Sequence, residues 1–190
     1  AGEFVTVSVG VILILSALRL REGIDHFIQD VSLLTFTIFY TGLLLAFATD
    51  LANSSNALGR VLTLVLLTAA NDTGGYFAGI FFGKTPLAAA ISPKKSWEGL
   101  AGSIVLAAVF GAFVIPHLVA ISSVAGGILG TCMALSATVG DLIESAIKRD
   151  AGVKDSGNSI PGHGGVLDRI DAQLVNAPVA WLALTVILGV

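Results

Sequence analysis

The sequence predicts an all-α fold: a polytopic integral membrane bundle of about six transmembrane helices around a polar cavity that faces the cytoplasm. Three observations carry this. The chain of 190 residues is 55% hydrophobic and only 12% charged, and its mean hydropathy is +0.90, far from the composition of a soluble globular domain. Its apolar residues fall into runs close to the roughly 20 residues that a hydrocarbon core of about 30 Å requires. Finally, its few basic residues gather on alternate sides of those runs.

In chain order the runs cover residues 4–20, 31–49, 60–82, 99–118, 123–149 and 172–190. Glu3 precedes the first run where a signal peptide would carry basic residues, and no small-residue cleavage site follows it, so it reads as a span and not a leader. The loops are a polar stretch (21–30), an Asn/Ser loop (51–59), the segment GKTPLAAAISPKKSWE (83–98), a tight turn, and a long loop rich in glycine and charge. Of the ten Lys and Arg residues, all but Arg60 fall on one side of this arrangement. The positive-inside rule makes that side cytoplasmic and puts both termini outside. The chain leaves no room for a large soluble domain, and it reads as a single transmembrane domain over 1–190. The lone Cys132 excludes an internal disulfide, and its apolar setting predicts a buried thiol. No redox chemistry and no nucleic-acid partner are expected.

Charge in such a chain needs a reason. The stretch 140–171, GDLIESAIKRDAGVKDSGNSIPGHGGVLDRID, holds ten of the 23 charged residues. On a helix Asp141, Glu144, Ser145 and Lys148 follow at i, i+3, i+4 and i+7 and share one face. That helix should end near Asp150 to Gly152. The loop then leads past His163 to Asp168 and Asp171, three apart at the mouth of the last helix, so that four carboxylates can converge. Asp141 lies about 12 Å below the end of its helix at 1.5 Å per residue. Asp72, in NDTGGYF (71–77), lies near the middle of the third run, where an ionised side chain costs about 2.5–3.5 kcal/mol. Pairing with Lys148 and Arg149 accounts for Glu144 and Asp150, but poorly for Asp141 and Asp72. A cation does better, and Mg²⁺ takes oxygen ligands while leaving positions for water and phosphate. Lys94, Lys95 and Trp97 suit interface anchoring; beside an acidic pit the two lysines also suit an anionic ligand. The glycines around His163 expose N–H groups that can cradle phosphate. His26 and His117 read as structural, and Gly126 and Gly130 as a close helix contact.

These residues resemble the phosphatidate cytidylyltransferases, or CDP-diacylglycerol synthases. The C-terminal signature of that family is matched by Ser145, Ile147, Lys148, Arg149, Lys154, Asp155, Gly157, Ile160, Pro161, His163, Gly164, Gly165, Asp168, Arg169, Ile170 and Asp171. NDTGGYFAG and SPKKSWEG look like two further family segments, with Ser96 where threonine is commoner. The resemblance runs over about 62–178, giving a catalytic core near 60–178 and less family-like helices over 1–59. It implies transfer of CMP from CTP to phosphatidic acid with release of pyrophosphate, in a multi-pass protein of the inner (cytoplasmic) membrane, Mg²⁺-dependent and homodimeric. By the same resemblance Asp141, Asp168, Asp171, Lys148 and Arg169 are catalytic. Asp141 with Asp168 or Asp171 would hold the metal, supported by Glu144 and Asp72, and a second cation can bridge them. Lys94, Lys95, Ser145, Arg149, Lys154, His163, Gly164 and Gly165 would bind substrate phosphates. Two other readings compete: a CTP-using lipid kinase or related archaeal enzyme, and a transporter, although no internal repeat supports the latter.

Overall fold

The computed structural model describes residues 2–153 and 167–188. It is helical apart from one hairpin. Helix α1 (Gly2–Arg19) is followed by α2 (Phe27–Thr37), a π-helical turn (Ile38–Leu43) and α3 (Leu44–Ala52), which run on as one rod; then come α4 (Ala57–Phe82), strands β1 (Pro86–Ala88) and β2 (Ser92–Ser96), α5 (Trp97–Phe113), α6 (Ser123–Asp150) and α7 (Leu167–Leu188). Five of these segments are long and apolar enough to cross a membrane: Phe4–Glu22, Phe27–Ala52, Trp97–His117, Ser123–Asp150 and Asp171–Leu188. The expected sixth, α4, has the length, with 26 residues, but not the composition. Arg60, Asn71 and Asp72 interrupt its apolar run.

Polar side chains set where the helices begin. The Asn56 side chain accepts from Gly59 N at the start of α4 and donates to Leu118 O at 2.9 Å, which ties that start to the α5–α6 connection. Ser96 and Ser122 cap α5 and α6 in the same way, accepting from Gly99 N and Ala125 N. Helix α6 stops at Asp150, and Gly152 follows with φ +69°, the left-handed conformation that glycine adopts freely.

Large apolar side chains such as Val7, Leu13, Phe81 and Phe113 face outward, whereas the interior includes Thr63, Thr68, Asn71, Ser103, Glu144 and Asn176. Apolar outside and small or polar inside is the pattern of helices that pack in lipid. The apolar core (Leu51, Leu64, Leu67, Ile115, Met133, Leu184) occupies the half of the bundle next to the 52–57 and 114–122 connections. The opposite half is left for polar groups. Helix α2 and the π-helical turn bury no residue fully and sit at the periphery.

Glycine sets the helix spacing. A Cβ on Gly126 would collide with Gly111 O and one on Gly130 with Ala107 O, so the expected close contact is the α5–α6 crossing. Cys132, expected to be buried, is exposed. The buried stripe of α6 runs through Leu129, Gly130, Met133, Ala134 and Ala137, and Cys132 lies off it, on the outside of the bundle.

A buried polar knot pins three helices. Asn176, with no exposed surface, donates to Thr68 Oγ1 at 2.9 Å and accepts from Ser136 Oγ, joining α7, α4 and α6. Asn176→Ala leaves Ser136 without this partner, at a cost of about 1–3 kcal/mol. A lower melting temperature in detergent is the expected result.

Candidate active site

The knot lies one helical turn beneath three acids. Asp72 follows Thr68 by four residues, Asp141 follows Ser136 by five, and Asp171 precedes Asn176 by five. At 1.5 Å per residue these offsets are roughly 6–8 Å along each axis. The three carboxylates therefore emerge together, and with Glu144 they line a cavity of about 310 Å³ that also takes in Lys95, Ser145 and Lys148. A second cavity, of about 220 Å³, lies on the hairpin side and is bounded by Asn71, Lys94, Lys95, Ser96, Ser103 and Thr138, among others. Asp72, Lys95 and Asp141 belong to both.

The border between the chambers is an ion pair, Lys95 Nζ to Asp141 Oδ2 at 2.5 Å, with each side chain a little over a quarter exposed. The SPKK segment, expected as a fixed loop, is instead strand β2, paired antiparallel with β1. The Glu98 carboxylate accepts from the backbone N–H groups of Lys84 and Thr85, and Trp97 N donates to Thr85 O at 3.0 Å. These bonds close the hairpin over the end of α5 and present its lysines to α6. Across the larger chamber, Lys148 Nζ lies 2.9 Å from Glu144 Oε2, one turn apart on α6.

Most of the residues expected at the site meet here: Asp72, Lys94, Lys95, Asp141, Glu144, Ser145, Lys148 and Asp171. Arg149 does not; its guanidinium donates to Val153 O at 3.3 Å, closing the end of α6. Lys154, His163, Gly164 and Gly165 lie outside the described residues, as do the side chains of Asp168 and Arg169. Sequence reasoning passed over two groups. Asn71 donates to Asp72 Oδ1 at 2.9 Å and its carbonyl accepts from Ser103 Oγ at 2.8 Å, so it braces the mid-helix acid. Its place beside Asp72 was the available signal. Tyr40, whose hydroxyl is buried without a partner among the described residues, sits in an apolar run and gave none.

The donors suit a hard dication. Every candidate ligand is a carboxylate oxygen, and Glu144 Oε1 is buried with no hydrogen-bond donor on it among the described residues. Among the described residues no group of three or more His, Cys, Asp or Glu is placed to hold a metal ion by itself. Mg²⁺ at nucleotide sites uses one or two carboxylates with water and substrate phosphate, not a full protein cage, so an open arrangement fits it.

Comparison with known proteins agrees with the motifs. The model of the cytidylyltransferase family matches residues 2–187, so the likeness includes the first two helical segments, which the motifs alone did not reach. A phosphatidate cytidylyltransferase of Mycobacterium leprae is 40% identical over 164 residues, 86% of this chain and 53% of that protein. The Haemophilus influenzae enzyme of the same name is 45% identical over 124 residues, 62% of this chain and 43% of that protein. Phosphatidate cytidylyltransferase 4 of Arabidopsis thaliana chloroplasts is 44% identical over 129 residues, 65% of this chain and 32% of that protein. The chain spans about half the length of the mycobacterial relatives. With the match running almost end to end, this chain belongs to the cytidylyltransferase family.

Proposed function

We propose that the chain carries the catalytic half of a phosphatidate cytidylyltransferase, which transfers CMP from CTP to phosphatidic acid and releases pyrophosphate, yielding CDP-diacylglycerol for phospholipid synthesis. The observation that carries this reading is the pair of chambers meeting at Lys95 and Asp141, one walled by the hairpin lysines and the other by acids and Lys148. A phosphate oxygen of the lipid attacks the α-phosphorus of CTP. The new O–P bond forms as the bond from the α-phosphorus to the α,β-bridging oxygen breaks, and that oxygen leaves as a terminal oxygen of pyrophosphate.

The phosphomonoester has a second pKa of about 6 and is largely ionised at neutral pH, so no strong general base is needed. The obstacle is repulsion between anions. Lys94 and Lys95 face the triphosphate, Lys148 faces the lipid phosphate, and their fixed positions spare the reorganisation that water would need. Asp141 and Asp171, with Asp72, Glu144 and Asp168 in support, are the residues to hold Mg²⁺ and any second cation. When bound, the metal supplies charge neutralisation at the transferring and leaving oxygens. Arg169, Lys154 and the His163 loop (with Gly164 and Gly165) complete the phosphate contacts in this reading, and Ser145 lines the floor.

In this reading α4 is the sixth span, its acid sheltered by the bundle, and the chambers open to the cytoplasm from the inner membrane, as the basic residues suggest. A homodimer is inferred from the family resemblance; Gly126 and Gly130 lend it nothing, because they are used inside the chain. The test is incubation of the purified chain in mixed micelles with phosphatidic acid, Mg²⁺ and CTP labelled at the α-phosphate. Label in the extracted lipid with equimolar pyrophosphate is expected, and chelation by EDTA should stop it. Transfer of label from γ-labelled CTP instead would identify a kinase and overturn the reading.

A further inference from the structure

A third cavity opens on the larger chamber from the lipid side. It is a groove of about 220 Å³ between α2 with its π-helical turn and the end of α6, walled by Leu33, Phe36 and Thr37 on one side and Ile147, Ala151 and Val153 on the other. Leu33 and Phe36 are exposed, so its mouth is apolar. Its inner end is not. Glu144 and Lys148 line both the groove and the acidic chamber, so the two adjoin, apolar on one side of this pair and charged on the other.

Two polar atoms at this neck receive no hydrogen bond among the described residues. Tyr40 Oη is buried without a partner there, and Glu144 Oε1 is buried with no donor on it, Glu144 being only 3% exposed. A buried hydroxyl without a partner is destabilising, and a site that keeps one gains when a ligand supplies the acceptor. Tyr40 follows Phe36, against which its ring stacks with centroids 5.4 Å apart. It lies in the π-helical turn, a distortion that recurs at functional sites.

The chemistry that fits is an amphiphile: an anion near Lys148, a hydrocarbon tail in the groove, and between them an acceptor a few bonds from the phosphorus. In an acylglycerol phosphate that acceptor is the ester carbonyl. We propose that Tyr40 Oη donates to the ester carbonyl of the lipid substrate, whose acyl chain lies in the α2–α6 groove, making Tyr40 a determinant of ester over ether lipids. The inference rests on the cytidylyltransferase reading of the same site and names a contact that the reaction itself does not require. A site built to bond an oxygen rejects a ligand that lacks it far more strongly than it resolves added methylenes.

The experiment compares diacyl phosphatidic acid with its dialkyl-ether analogue of equal chain length, in mixed micelles with CTP. Tyr40→Phe should lower kcat/KM for the diacyl lipid about tenfold, leave the ether lipid unchanged, and leave the KM for CTP unchanged. Equal loss on both lipids, or none on either, overturns the role of Tyr40. Thr37→Trp should fill the groove and depress turnover of long-chain substrate far more than that of a dihexanoyl one. Equal effects would mean that another segment or a resident lipid covers the groove, and would overturn the acyl site. A parent chain that forms no liponucleotide overturns the enzymatic reading itself, whereas an active parent with indifferent variants overturns only this inference.

Discussion

Replacing Asp141 by Asn is expected to lower CDP-diacylglycerol formation by on the order of 10²–10³-fold, the usual loss when one fixed charge-stabilising group is removed from an active site. Asp141 belongs to both chambers and bonds Lys95, so the change removes a carboxylate charge and frees a lysine at once. Two effects are then mixed: weaker catalysis, and a cation left without its partner in a half-buried place. The double variant Asp141→Asn with Lys95→Met separates them. Removing both charges should restore the melting temperature in detergent toward that of the parent while activity stays lost, since the pair no longer exists to be broken. Near-parental turnover by Asp141→Asn, measured with α-labelled CTP, would refute the metal-site assignment. Asp171→Asn should behave alike, because it enters the same chamber from α7.

The second large effect is structural. Gly126→Leu should lower the melting temperature in detergent by about 10 °C or prevent folding, since overpacking costs about 1–3 kcal/mol where side chains can yield, and each kcal/mol is worth roughly 2–4 °C in a chain of this size. Here they cannot yield: the obstructing atom is the backbone oxygen of Gly111, on the facing helix. Gly127→Ala, one residue on, is the control. Its Cβ would meet Ala108 O at 3.5 Å and the Ala112 side chain at 3.6 Å, ordinary contact distances. That variant should melt close to the parent. If both glycines tolerate substitution equally, the α5–α6 crossing is not as close as described.

Much of this architecture was legible because bilayer physics leaves few options. Apolar runs of near-constant length declare the spans, and the 3.6-residue period puts Asp141, Glu144, Ser145 and Lys148 on one face of α6, where they are found lining one cavity. The proximity of the hairpin lysines to the acids was also foreseeable, since charges at membrane depth seek partners. Other features were hidden for physical reasons. The β1–β2 pairing is short and depends on Glu98 reaching back to the Lys84 and Thr85 amides, which no local periodicity encodes. Cys132 was misjudged because hydropathy reports that a run is apolar and not which side of it faces the neighbours. Arg149 was drawn to the site by its motif, but one residue past Lys148 is about 100° round the helix. Tyr40 was invisible because a tyrosine among Phe, Ile and Leu looks like packing until its hydroxyl is seen to lack a partner among the described residues.

The composition of α4 bears on how the chain is made. A segment that carries Asn71 and Asp72 in its middle partitions poorly into the bilayer as it leaves the translocon, whereas the α5 segment that follows meets the apolar threshold with ease. Gly74 of α4 lies against Gly102 of α5, with room for no side chain between them. If α4 spans the membrane, entry of the two as a pre-paired hairpin is the expected route, and an arrest sequence placed between them should strand α4 outside the lipid.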